Sequence, residues 1–248
     1  MKKLFLLLFF SMFLLAKDQL LFYCGITMVK PMSKIASIIE KKYNVNIKII
    51  QGGSGDLYES LSNSKEGDLY LPGSDSYIKK HLKDGLFGYR KYVGYNQIAI
   101  FVNINNPKKI TSLQDFTRDD IALSLGNPET CSMGRASIKV LKKYGGDKFL
   151  EKVEDNILLY SIDSRDFNQL LISHQIDTGL NWKATAFFPK NRGKIQIIDI
   201  SEKYAPKKKL ILTMLNFSKH KDIVKKFIDF TTSQKGKKIM QEYGFLDE

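Results

Sequence analysis

The chain has 248 residues, of which 43% are hydrophobic, and a formal net charge of +13 at pH 7. This length can bury a substantial core and suits one large domain or two small lobes. The charge does not indicate a nucleic-acid partner, because the lysines form short runs on polar helix faces or at turns, and no basic stretch is interleaved with aromatic residues.

The spacing of cysteine and histidine does not indicate a metal site. The chain has two cysteines, Cys24 and Cys131, and its three histidines are isolated from each other and from the cysteines. Metal sites need several such ligands close together. We therefore expect neither a metal nor a cofactor. The cysteines of an exported protein can be paired or free, and we expect function not to require a bond between these two.

The N-terminus has the layout of a secretory signal peptide. Two lysines precede the apolar residues 4–15, and Ala16 is followed by polar residues. The apolar run is too short to span a bilayer as a helix. We predict a cleavable signal peptide over residues 1–16 and a periplasmic mature protein. An uncleaved anchor is the alternative, while lipid attachment at Cys24 is disfavoured by the bulky Phe22 and Tyr23.

Strands and helices then alternate along the first third of the chain. Short apolar runs predict strands, and apolar residues at helical spacing follow the first two of these runs. The predicted strands are 19–23, 45–50 and 68–71, and the helices follow residues 31 and 55. Alternation of this kind is typical of parallel strands covered by helices on both faces.

The alternation restarts after a longer predicted strand at residues 95–103. The later predicted strands are 121–125, 157–161, 178–182, 195–200 and 210–217, and the helices are 132–143, 164–173, 221–232 and 235–243. We infer an α/β fold with two mixed, mostly parallel sheets, flanked by helices and joined by two crossover strands. Residues 17–94 and 215–248 are assigned to lobe 1 and residues 95–214 to lobe 2, with a ligand in the cleft between them.

Three turns between a strand and a helix could hold an anion, because free backbone N–H groups and the positive end of the helix dipole meet there. They are residues 25–28, 52–55 and 131–134. In the second turn Gly53 lets the backbone approach a ligand and Ser54 offers a hydroxyl. A serine at such a junction is more often only a helix cap, but three such turns in two lobes favour one shared site.

Two further pairs of residues point to the same cleft. Arg165 and Asp166 open a predicted helix of lobe 2, where the guanidinium could pair with an anion. The alternative is that both are solvated residues at a helix start. Asn181 and Trp182 end a strand of the same lobe, and an amide and an indole N–H there could face the ligand.

Several segments resemble the periplasmic molybdate/tungstate-binding protein family, a branch of the type II periplasmic binding proteins. They are FYCGITMVKPM, QGGSGDLYESL, GDLYLPGSDSYI, ALSLGNPETCSMGRASIKVLKKYG, DTGLNWKATA and FTTSQKGKKIMQEYGF. The resemblance implies a two-lobed type II fold that closes on its ligand. It places oxyanion-binding hydroxyls at Thr27 and Ser54, backbone donors at Met133 and in the Arg165–Asp166 turn, and the family's cleft tyrosine at Trp182.

The resemblance also implies a function and partners. We expect the solute-binding subunit of an ABC importer, a monomer that captures a small oxyanion, molybdate or tungstate first, and docks on a permease in the inner membrane. Phosphate, sulfate or a phosphorylated small acid is the alternative ligand, since phosphoglycerate-binding cell-surface relatives share the architecture. An added antigen or adhesin role stays open. An exported enzyme is disfavoured, because no nucleophile–base or paired-carboxylate arrangement is evident.

Overall fold

The computed structural model describes residues 17–129 and 131–245. The predicted signal peptide lies outside them. In chain order, the elements are β1 (Gln19–Gly25), α1 (Val29–Tyr43), β2 (Asn46–Gly52), α2 (Ser54–Ser64), β3 (Leu69–Leu71), α3 (Asp75–Lys80), β4 (Phe87–Asn96), β5 (Ile98–Asn103), β6 (Leu123–Gly126), α4 (Ser132–Asp155), β7 (Ile157–Ser161), α5 (Ser164–Ile172), β8 (Thr178–Trp182), β9 (Ile195–Ile198), β10 (Lys208–Leu215), α6 (Lys221–Thr231) and α7 (Gln234–Glu242). None of the helices among these residues is long and apolar enough to cross a membrane.

The strands form two five-stranded sheets, which correspond to the two lobes. The strand order is β2-β1-β3-β10-β4 in the first sheet and β7-β6-β8-β5-β9 in the second. In the first, β1 lies parallel to β2 and β3, whereas β10 lies antiparallel to β3 and β4. In the second, β6 lies parallel to β7 and β8, whereas β5 lies antiparallel to β8 and β9. The predicted two-lobed α/β fold with mixed sheets is confirmed, although parallel pairs do not predominate in either sheet.

The crossovers lie at slightly different places from those predicted. The single strand expected over residues 95–103 is two strands, because the chain leaves the first sheet after Asn96 and enters the second at Ile98. The return strand β10 pairs within the first sheet and buries Leu210 and Leu212 in the first lobe's core. Residues 208–214, which the sequence prediction placed in lobe 2, therefore belong to the sheet of lobe 1.

Helix α1 illustrates how the layers are held together. Its apolar residues Met32, Ile35 and Ile39 recur at helical spacing and are buried against the first sheet,. The helix ends at Asn44, whose φ of 54° is left-handed and whose N–H bonds to the carbonyl of Glu40,. The chain then turns back into β2, which lies parallel to β1. The carboxyl ends of β1 and β2 therefore lie side by side at one edge of the sheet.

Candidate functional site

A cavity of about 250 Å³ lies between the lobes, at the carboxyl ends of the parallel strands. Its lining comes from both lobes: Gly25, Ile26, Thr27, Gly52, Gly53, Ser54, Asp56, Gly73, Cys131, Ser132, Ile162, Asp163, Ser164 and Trp182. The volume is below the roughly 300–1,000 Å³ of sites that take drug-sized ligands. The cavity therefore suits a small ligand or one end of a larger one.

Three helical segments begin at this cavity without a side-chain cap. They are the 3₁₀ turn Ile26–Met28 that precedes α1, helix α2 after Gly53, and helix α4 after Cys131. In contrast, helices α3 and α7 are capped by the hydroxyls of Ser74 and Ser233. The first backbone N–H groups of an uncapped helix need an external acceptor, and the helix dipole adds positive potential there. These three helix starts therefore direct backbone N–H groups and positive potential towards one cavity.

Among the described residues, the Ser54 hydroxyl accepts a hydrogen bond but donates none. Its Oγ accepts a hydrogen bond from the backbone N–H of Gly73 at 2.9 Å. Its carbonyl oxygen accepts one from the hydroxyl of Tyr70 at 2.8 Å, which fixes the first residue of α2. A hydroxyl that already accepts one hydrogen bond is a better donor, so Ser54 is suited to donate to an anion.

Three other hydroxyls at the cavity also lack a strong acceptor. Thr27 Oγ1 lies 2.9 Å from the sulfur of Met28, and Ser164 Oγ lies 3.5 Å from the sulfur of Met133. Thioether sulfur is a weak acceptor. Within the described residues, no hydrogen bond is recorded for Ser132 Oγ. Both lobes therefore contribute hydroxyl donors to one small cavity.

The fourth helix start at the cavity, that of α5, is occupied by the protein itself. Asp163 Oδ1 accepts hydrogen bonds from the backbone N–H groups of Arg165 at 2.6 Å and Asp166 at 3.2 Å. Its other oxygen pairs with the Arg165 guanidinium at 2.7 Å. Burial alone would raise the pKa of Asp163, but these hydrogen bonds and the charge of Arg165 outweigh burial and lower that pKa. Asp163 is therefore a persistent anion next to the ligand space.

The predicted site residues fall into two groups. Thr27, Gly53, Ser54 and Trp182 line the cavity. Met133 contributes no side chain to it, since that side chain is fully buried in the core of lobe 2; its backbone N–H belongs to the uncapped first turn of α4. Their roles in ligand binding stay predictions.

The other predicted residues do not line this cavity. The Arg165 side chain is 57% exposed and borders a separate cavity, which Val29 and Lys30 of lobe 1 also line. The carboxylate of Asp166 turns back to accept the N–H of Ile162 at 2.9 Å. Asn181 is buried and bonds to Ser164, Asn168 and the N–H of Trp182. In each case local backbone and side-chain hydrogen bonds already use the groups that the prediction assigned to the ligand.

Sequence reasoning did not select Asp163, Ser164, Gly73 or Asp56 as ligand residues, and it included Ser132 only as part of the turn at residues 131–134. A signal for Asp163 was present, since aspartate is a preferred cap and precedes a helix start with an acidic residue three positions later. Gly73 gives no such signal, because its place beside Ser54 depends on how β3 lies next to β1.

No cluster of three or more metal-ligating side chains occurs within residues 17–129 and 131–245. Both cysteines are free in the structure. Cys24 is fully buried in lobe 1, and burial raises the pKa of its thiol. Cys131 lies in lobe 2 at the N-terminus of α4. The two thiols therefore offer no cross-link between the lobes.

Comparison with known proteins identifies several relatives of similar length. A candidate binding protein of Haemophilus influenzae is 23% identical over 228 residues, which cover 92% of this chain and 91% of that protein. YvgL of Bacillus subtilis, named as a candidate ABC transporter substrate-binding lipoprotein, is 27% identical over 221 residues, which cover 85% of this chain and 81% of YvgL. The molybdate-binding protein ModA of Mycobacterium tuberculosis is 21% identical over 202 residues, which cover 81% of this chain and 74% of ModA.

Solved structures share the fold. The substrate-binding domain of a candidate molybdenum ABC transporter from Clostridium difficile superposes with a TM-score of 0.75, at 21% identity, covering 94% of this chain and all of that one. PEB3 of Campylobacter jejuni, solved with L-phospholactate, superposes with a TM-score of 0.74 at 18% identity, and the match covers 92% of this chain and all of PEB3. The sulfate-binding protein SubI of Mycobacterium tuberculosis superposes with a TM-score of 0.79 at 16% identity, and the match covers 92% of this chain and 86% of SubI.

The profile of one family matches residues 20–246, which is nearly the whole described chain. This match agrees with the two-lobed fold and with a ligand cavity between the lobes, and the family is one of binding proteins rather than enzymes. The chain belongs to the family described as bacterial extracellular solute-binding protein.

Proposed function

We propose that this protein is the exported solute-binding subunit of an ABC importer, and that it captures a tetrahedral oxyanion group in the cavity between its lobes. The observation that carries the proposal is the meeting of three uncapped helix starts at one cavity. The relatives named as transporter subunits support delivery of the ligand to a membrane permease.

The donor set suits an anion that binds reversibly. Thr27, Ser54 and Ser132 supply neutral hydroxyls, and the helix starts supply backbone N–H groups. No lysine or arginine lines the cavity among the described residues. Neutral, fixed donors replace the hydration shell of an anion without a full counter-charge. Selectivity then depends on whether the ion is large enough to reach every donor.

Molybdate and tungstate are the first candidates for the ligand. They are nearly equal in size and larger than sulfate, and a smaller ion would leave donors unpaired. An unpaired buried donor costs about 1–3 kcal/mol, so two of them separate ions by at least roughly thirtyfold. The molybdate-binding relatives support this candidate.

A phosphoryl group is the second candidate, favoured by Asp163. This carboxylate lines the cavity and is held ionised by Arg165. A nearby fixed anion disfavours a dianion but can accept a hydrogen bond from a protonated phosphate oxygen. Structures with the same fold have been solved with L-phospholactate and with fructose 6-phosphate.

A calorimetric titration of the mature protein separates these candidates. Molybdate, tungstate, sulfate and phosphate are each titrated between pH 5 and pH 8. Tight binding of molybdate and tungstate, with weak sulfate binding and little dependence on pH, is the result expected for the first candidate. Preference for phosphate, with affinity that follows its protonation, selects the second. Absence of binding by every oxyanion contradicts the proposed function.

A further inference from the structure

A second compartment of the cleft adjoins the oxyanion cavity. Its volume is about 150 Å³, and it shares Gly73, Ser132 and Trp182 with the first cavity. We call it the basic compartment and define it by Tyr77 of lobe 1, Arg135 and Lys139 of α4, and Lys208 at the start of β10. A ligand seated in the oxyanion cavity can therefore extend past Trp182 into the basic compartment.

The charges of the basic compartment are not neutralised locally. Arg135 donates to the hydroxyl of Tyr77 at 2.7 Å and to backbone carbonyls, including that of Glu129 at 3.0 Å. Among the described residues, neither Lys139 nor Lys208 has a carboxylate within salt-bridge distance.

The acidic side chain that borders the basic compartment is already paired. Asp75 is bound to Lys79 at 2.6 Å. Within residues 17–129 and 131–245, these three cations thus face one compartment without an acidic partner of their own.

The two parts of the cleft differ in chemistry. The oxyanion cavity is lined by hydroxyls, helix starts and the carboxylates of Asp56 and Asp163, and no cation from the described part of the chain lines it. The basic compartment supplies ammonium and guanidinium groups. A bare oxyanion uses only the first part and leaves these cations unused. A ligand with a tetrahedral oxyanion at one end and a carboxylate at the other uses both.

We propose that the basic compartment binds a carboxylate, so that the ligand is a small organic acid bearing a phosphoryl group. This inference rests on the proposed function, because the oxyanion cavity must hold the phosphoryl end. Lys139 and Lys208 pair with the carboxylate, and Arg135 holds the two lobes together beside it through Tyr77.

The test uses matched probes whose length is varied. Phosphonoacetate, 3-phosphonopropionate and 4-phosphonobutyrate carry a terminal carboxylate, and ethyl-, propyl- and butylphosphonate end in a methyl group instead. Each probe is titrated by calorimetry into the full mature protein, the K139Q/K208Q variant and the K235Q/K237Q variant. Lys235 and Lys237 are exposed on α7, so the latter variant controls for net charge.

We expect one length of carboxylate probe to bind the wild type roughly ten- to a hundredfold more tightly than its methyl partner, the range for hydrogen bonds to charged groups. That ratio should fall towards one in K139Q/K208Q and persist in K235Q/K237Q. Equal affinity of the two probe series, or an unchanged ratio in K139Q/K208Q, overturns the inference. Binding of molybdate or phosphate in the same preparations would leave the oxyanion proposal intact, and absence of all binding would contradict that proposal instead.

Discussion

Replacing Asp163 by asparagine removes a charge beside the ligand space with little change in shape. Asparagine is as good a helix cap as aspartate, so its side-chain oxygen can keep the hydrogen bonds to the N–H groups of Arg165 and Asp166. The substitution also removes the partner of the Arg165 guanidinium, which lies 2.7 Å from Asp163. The net charge near the cavity becomes more positive by one unit.

The size of the effect follows from Coulomb's law. At roughly 6 Å, a unit charge contributes about 0.7–3 kcal/mol per unit of ligand charge as the effective dielectric constant falls from ~80 to ~20. The Asp163 side chain is 21% exposed and already paired with Arg165, so part of this effect is screened. We expect the D163N variant to bind molybdate about 1–2 kcal/mol more tightly, which is roughly five- to thirtyfold.

Calorimetric titration of D163N with molybdate and with phosphate at pH 7 measures this effect. The D222N variant makes the same charge change in the exposed first turn of α6 and serves as the control. Unchanged molybdate affinity in a folded D163N protein would refute the placement of Asp163 beside the ligand. Weaker phosphate binding, with molybdate strengthened, would show that Asp163 accepts a hydrogen bond from a protonated phosphate oxygen.

Three further predictions concern other groups. S54A should weaken oxyanion binding roughly tenfold or more, because it removes a donor to the anion and the acceptor of the Gly73 N–H,. S62A is the control, because the Ser62 hydroxyl bonds to the carbonyl of Glu59 within α2, and equal affinities of the two variants would contradict the site. The free energy of unfolding should fall as pH drops below about 4, because Asp163, whose pKa is lowered in the folded state, stabilises that state only while its carboxylate is ionised,. Urea unfolding at pH 6 and pH 3 should show a smaller loss of unfolding free energy for D163N than for the wild type, and equal losses would argue against this. Two free thiols should be found in denatured, unreduced protein, and their absence would disprove the prediction that the cysteines are unpaired. In the native state Cys24 should react slowly with thiol reagents, because burial raises the pKa of its thiol,.

Local sequence patterns were sufficient for much of the fold. The strands Ile157–Ser161 and Thr178–Trp182 have the bounds that the sequence predicts. The change of sheet at Gln97 was not predictable, because Asn96 and Ile98 on either side of it are both buried, and the break depends on which sheet supplies the neighbouring strand. For the same reason β10 could not be assigned to the first sheet, since its partners β3 and β4 lie over a hundred positions earlier in the chain.

The candidate site was predictable where it consists of turns. Gly53 and Ser54 were identified because a glycine-rich turn follows a strand and opens a helix,. The α5 turn was interpreted differently from the structure, because all four residues from Asp163 to Asp166 are polar and any of them could face the cavity. The structure shows Asp163 as the cap and Arg165 as its partner, with Asp166 bonded to Ile162. Neighbouring side chains compete for the same backbone N–H groups, and this competition determines which side chain caps the helix and which face the cavity. Residue types alone do not reveal the outcome.

Gly73 offers a test of whether cavity size selects the ion. A Cβ at this position would lie 3.5 Å from Ser54 Oγ and 3.8 Å from Ser132 Oγ, which is ordinary van der Waals contact. Gly73 is not among the residues with positive φ, so alanine fits its backbone and should keep or slightly raise stability,. The added methyl group lies between two hydroxyls of opposite lobes and reduces the space that both share. We therefore expect G73A to melt at or above the wild-type temperature, to lose affinity for molybdate and tungstate, and to bind the smaller sulfate and phosphate relatively better. An equal loss for all four ions, measured by calorimetry on folded protein, would show that the donors near Gly73 do not determine which ion is bound.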